Sequence, residues 1–130
     1  MTVELSMLFW TVVLAAGQMV VAVLLTMTKI SLPELAGNRD DLPSADGMAG
    51  RAKRAHTNML ESLPLFAILI LVAHVAGLTN EQTALGAQIF LGARLVYAIV
   101  YLVGIPWVRT GIWGVSVIGM IMIALPILAG

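Results

Sequence analysis

Residues 51–66 read RAKRAHTNMLESLPLF, and the chain runs on as AILILVA to residue 73. Arg51, Lys53 and Arg54 put three bases within four positions. His56, Asn58 and Glu61 follow, and then a run apolar enough to sit in lipid. A basic cluster that stops where an apolar run begins marks the mouth of a membrane-spanning helix on the side that keeps its charges. The carboxylate carried past that mouth, Glu61, is the feature that needs a reason.

Working outward, a spanning helix needs about 20 mostly apolar residues, and four segments qualify. They are Leu5 to Thr28, Ser62 to Asn80, Gln82 to Gly104 and Thr110 to Gly130. With their polar shoulders counted, the spans run about 5–28, 58–80, 82–104 and 109–129. A connection rich in Pro, Gly and Asp covers about residues 30–50, whereas LTNEQ and GIPWVR are tight. Short connections make antiparallel neighbours. The expectation is an all-α integral membrane protein, one four-helix up-and-down transmembrane bundle over residues 1–130.

Composition agrees. The 130 residues are 60% hydrophobic and 11% charged, against roughly a quarter charged in soluble domains, and mean hydropathy is +0.99. The lack of cysteine excludes disulfides, thiolate metal sites and a cysteine nucleophile. The first span has no basic segment before it, so it reads as retained and not as a signal peptide. No metal-ligand spacing, nucleotide-binding loop or catalytic triad is present, and nothing indicates nucleic acid as a partner.

Four spans place both termini and the 2–3 connection on one side. Of the seven Lys and Arg, six (Lys29, Arg39, Arg51, Lys53, Arg54 and Arg109) fall on the other, and the seventh, Arg94, is inside a span. The termini side carries Glu4 and Glu81. The positive-inside rule puts the basic connections in the cytoplasm and the termini outside. Trp10, Trp107 and Trp113 lie near span ends, as interface aromatics do.

Arg94, near the middle of span three, is expensive there at about 2.5–3.5 kcal/mol on insertion scales, so it should face the interior and have a partner. Glu61 is the carboxylate within reach, and the two are expected to pair directly or through water. Arg54, Asn58 and Glu61 stand at i, i+4 and i+7, one helix face, with Arg51 flanking it. Arg94, Tyr97 and Tyr101 make a second stripe at i, i+3 and i+7. Arg109 opens span four, where the helix N-terminus adds partial positive charge. Several arginines around one carboxylate suit a polar ligand with both signs of charge, its ammonium on Glu61 and its carboxylates on arginines. A buried ion pair that only sets helix register is the alternative. An interfacial girdle of snorkelling side chains explains Arg51, Lys53 and Tyr101, but not Arg94 or Glu61. His56 lies off the stripe and reads as an interface residue; His74 stands alone.

RAHTNMLESLPLF, residues 54–66, resembles the second-span signature of the membrane-associated proteins in eicosanoid and glutathione metabolism, MAPEG. The pattern is Arg, Asn four on, Glu three further and Pro three beyond, met by Arg54, Asn58, Glu61 and Pro64. ARLVYAIVY, residues 93–101, is similar to the family's third-span pattern of Arg and spaced aromatics. The resemblance covers the whole chain and is to a bacterial branch. It implies a homotrimer in the bacterial inner membrane with glutathione as co-substrate between neighbouring subunits. Arg54, Asn58 and Glu61 would hold it, with Tyr97 and Tyr101 lining it, and the stripe reading adds Arg51 and Arg94 to the expected binding set. Arg109 is the nearest match to the thiol-activating arginine, one residue off the family spacing from Tyr101, with Thr110 and Trp113 where some members carry Ser or Tyr.

The implied activity is a glutathione-dependent transferase or peroxidase acting on apolar electrophiles or lipid hydroperoxides from the bilayer. A non-catalytic lipid- or glutathione-binding scaffold of the same fold is the alternative. A small four-span drug/proton exporter would need a carboxylate in the first span, and Leu5 to Thr28 has none.

Overall fold

The computed structural model describes residues 1–28 and 47–130. Lys29, Arg39 and most of the long connection read from the sequence lie outside the described residues. Four helices follow in order: α1 Val3–Met27, α2 Gly47–Ala76, α3 Glu81–Val103 and α4 Pro106–Ala129. All four are long and apolar enough to cross a membrane. The chain is an all-α membrane bundle.

Local sequence sets the ends. The Thr2 side chain accepts a hydrogen bond from the Leu5 amide at 3.2 Å and starts α1. Asn80 and Thr83 form a reciprocal capping box at the start of α3, with bonds of 2.8 and 2.9 Å, satisfying two donors that a helix start otherwise leaves open. Gly104 ends α3 at φ 89°, a left-handed conformation that glycine adopts without steric cost. Pro106 then opens α4, where its missing N–H costs nothing. α2 runs uninterrupted through Pro64 and back to Gly47, so the last residues of the expected connection are helical. Its 30 residues rise about 45 Å, more than the roughly 30 Å hydrocarbon layer. The helix is therefore longer than the layer it can cross, and its surplus length matches the basic first turns that hold Arg51, Lys53 and Arg54.

The two ends of the bundle are defined by contacts. Glu4 of α1 meets Thr83 of α3, and Gln82 reaches Met122 of α4. At the other end Arg51 of α2 meets Leu102 of α3. Successive helices therefore run antiparallel. α2 and α3 occupy the short diagonal, with α1 and α4 on either side. Phe66, Ile70, Ala73, Ala87, Phe90 and Ile123 form the main core, where the Phe66 and Phe90 rings stack at 4.0 Å. α3 and α4 approach most closely at Gly86 and Gly119: a Cβ on Gly86 would come within 2.6 Å of the Gly119 carbonyl oxygen. Outside, many large apolar residues such as Leu24, Ile68, Ile99 and Leu128 are exposed, far more than a soluble surface carries.

Candidate functional site

The basic end gathers most of the singled-out residues. Arg94 is completely buried, and its Nη2 donates to the Asn58 Oδ1 at 2.8 Å. Its guanidinium carbon lies 4.3 Å from the centre of the Tyr97 ring. Tyr97 and Tyr101 are 5.6 Å apart, ring to ring, and the Arg109 guanidinium sits 4.5 Å above Tyr101. Ala55 of α2 and Ile112 of α4 pack against the two tyrosines. The result is a ladder of amide, cation, ring, ring and cation crossing α2, α3 and α4. Each cation faces the negative face of a ring, which attracts it.

Arg94 and Glu61 do not pair. Arg94 bonds Asn58 instead, and Glu61 is exposed with no ion pair to any described residue. Asn58 and Glu61 differ by three positions, so they diverge by about 60° around the helix, and Asn58 is the one that bonds Arg94. The Arg94 Nε and Nη1 are buried with no hydrogen-bond partner. Polar atoms in that condition are rare and call for an explanation. Full burial leaves Arg94 in contact with Asn58 and the Tyr97 ring and away from solvent.

The other candidates divide. Arg51 is half-buried, and its Nε donates to the Leu102 carbonyl at 3.0 Å, one of the open acceptors at the end of α3. That bond ties α2 to α3 and holds Arg51 beside the α3–α4 turn. Arg54 and Glu61 are exposed on α2, and Asn58 between them is half-buried. Arg109 is half-buried in the first turns of α4, where amide N–H groups point outward. Thr110 donates back to the Pro106 carbonyl at 3.2 Å, and Trp113 is exposed. The guanidinium of Arg109 is thus the charged group at the start of α4.

Three features were not singled out from the sequence. Glu4 is buried and accepts from the Thr83 hydroxyl at 2.7 Å. Gln18 has a buried carboxamide oxygen without a partner, and it lines an apolar cavity between α1, α2 and α3. Ala55 joins that cavity to the tyrosines. An amide inside an otherwise apolar span is a visible signal for Gln18. Nothing in composition or spacing marks Ala55.

Among known protein families, the model described as MAPEG family matches residues 7–129. No curated protein matches the chain.

Proposed function

Since the chain belongs to the MAPEG family, we propose that it is a membrane-bound glutathione-dependent transferase or peroxidase acting on apolar electrophiles or lipid hydroperoxides. The observation that carries this reading is the 2.8 Å bond from Arg94 to Asn58, because it joins the polar stripes of α2 and α3 into one site next to Arg109. Glutathione has one ammonium and two carboxylates. Glu61 receives the ammonium, Arg51 and Arg54 the carboxylates, and Asn58, Tyr97 and Tyr101 line the peptide, with Arg94 holding Asn58 and Tyr97 in place.

Arg109 supplies the chemistry. A free thiol is only a few per cent thiolate at pH 7. Making the thiolate the main form near neutral pH takes about 2–3 kcal/mol of added attraction. A guanidinium at a helix N-terminus, half-shielded from solvent, is a source of that size. The thiolate then attacks a substrate arriving from the bilayer: at an electrophilic carbon it forms a C–S bond as a leaving group departs or the adjacent carbon takes up a proton, and at a hydroperoxide it breaks the O–O bond to give an alcohol and a glutathione sulfenic acid, which a second glutathione converts to disulfide and water.

Exposed Arg54 and Glu61 support a homotrimer with the ligand at the subunit boundary, since a carboxylate at the lipid edge is costly without a partner. The basic end faces the cytoplasm, where glutathione is, and the termini face outward from a bacterial inner membrane. One observation favours the scaffold alternative: Thr110 is turned back onto Pro106 and offers the thiol no second donor.

Ultraviolet difference absorbance with glutathione tests the reading. The thiolate band is expected near neutral pH in the wild type and absent in Arg109→Ala, with glutathione still bound. Glu61→Gln should weaken binding. Binding without any band would favour the scaffold, and no binding would remove the proposal.

A further inference from the structure

Residues 103–108, which join α3 to α4, are all exposed. The N-cap of α4, Ile105, makes no side-chain capping bond. The backbone bonds of the turn run back to the Val100 carbonyl, from Gly104 at 2.9 Å and from Ile105 at 3.3 Å. A segment with so few buried contacts belongs to the less stable parts of a fold. Yet it leads straight to Arg109, whose guanidinium sits 4.5 Å above the Tyr101 ring. Arg51 is what α2 adds to hold that segment. Its Nε donates to the carbonyl of Leu102 at 3.0 Å, the residue next to Tyr101. Its stem lies along Gly104, where a Cβ would stand 3.4 Å from the Arg51 Nε, 3.5 Å from Cδ and 3.6 Å from Cζ.

We propose that Arg51 is a positioning residue as well as a carboxylate ligand: its terminal nitrogens take a carboxylate of the co-substrate, its Nε holds the α3–α4 turn, and binding thereby sets the place of Arg109. A guanidinium carries five N–H donors in one rigid plane. With the Nε–H committed to Leu102, the carboxylate meets the end-on pair, Nη1 and Nη2. A partner that fixes that edge of the plane also fixes the direction of the Nε–H at the other. Coupling of this kind is reciprocal. A turn held in place strengthens binding, and a bound carboxylate steadies the turn. The coupling rests on the glutathione reading; the clamp of Arg51 on the turn does not.

The test compares Arg51→Lys with Arg54→Lys in the full-length protein in lipid nanodiscs. Lysine keeps the charge but is a point donor and not a planar fork, so it cannot serve the carboxylate and the Leu102 carbonyl together. At saturating glutathione, the pH midpoint of the thiolate band should rise by about one unit in Arg51→Lys, which is about tenfold less thiolate below the midpoint. Arg54 is exposed on α2 and away from the turn, so Arg54→Lys should weaken binding and leave the midpoint where it is. Hydrogen exchange of the amides of residues 104–109 gives a second reading. Without glutathione, exchange should be about fivefold faster in Arg51→Lys than in the wild type. Glutathione should slow it in the wild type and not in the variant. Weaker binding with an unchanged midpoint would make Arg51 a ligand only, and unchanged exchange would remove the clamp. A wild type without a band would remove the glutathione reading and the coupling with it, while exchange still decides the clamp.

Discussion

Among the described residues, each half of the bundle buries one charged side chain, and the two are treated differently. At the end that carries the termini, Glu4 is buried with its carboxylate on the Thr83 hydroxyl, and Thr83 is itself locked in the Asn80 capping box. No oxygen of Glu4 is left buried without a partner. At the basic end, Arg94 is buried with one nitrogen bonded and two bare. Packing follows the same division. Near Glu4, the α3 and α4 backbones touch at Gly86 and Gly119; near Arg94, alanines and Gly17 leave a cavity. A satisfied charge in tight packing is a clasp. A half-satisfied buried charge costs stability, and departures of that kind are expected at functional or strained sites.

The largest effect that would break this contrast is at Arg94. Arg94→Met removes the bare donors and keeps volume, so thermal stability should hold or rise, as replacing poorly compensated buried charges with apolar groups often does. Glutathione affinity should fall about thirtyfold, roughly 2 kcal/mol, because Asn58 and Tyr97 lose their support. Calorimetric titration beside a thermal melt separates the two. A large loss of stability with affinity intact would make Arg94 a second clasp.

Gly119→Ala is next. Its Cβ would fall 2.7 Å from the Gly86 carbonyl oxygen and 3.0 Å from the Phe90 amide nitrogen, both backbone, so the helices must separate, at about 1–3 kcal/mol. Gly17→Ala, with open space around it, should be neutral or slightly stabilising. Equal melting temperatures for the two variants would show that the ends are packed alike.

Glu4→Leu, which deletes the clasp and leaves Thr83 without its interhelical acceptor, should cost about 1 kcal/mol and leave glutathione binding unchanged. The smallest effect sharpens the comparison within the ladder. Tyr101→Leu removes the ring beneath Arg109 and should lower the thiolate band about threefold, the size of a partly exposed cation–π contact. Tyr101→Phe should leave the band as it is.

Much of the molecule was legible beforehand. Four apolar runs, two tight connections and one charged mouth specify a four-span bundle, because backbone in hydrocarbon is satisfied only within helices or a closed barrel, and unbroken apolar runs of about 20 residues are the length of helices. Helical spacing placed Arg54, Asn58 and Glu61 on one stripe, and Arg94, Tyr97 and Tyr101 on another. The RAHTNMLES pattern named the family that residues 7–129 match.

Tertiary structure alone decided which member of each stripe meets which. A stripe is about 60° wide, and partner choice between Asn58 and Glu61 depends on how far α2 is rotated against α3, which no spacing encodes. It also decided that Glu4 is enclosed, that Arg51 is tied to Leu102, and that small residues from three helices leave a common void around Gln18. Volume is a property of the assembled helices: Gly17, Ala52, Ala55 and Ala98 are separate letters in the chain, and they become one cavity only when α1, α2 and α3 come together.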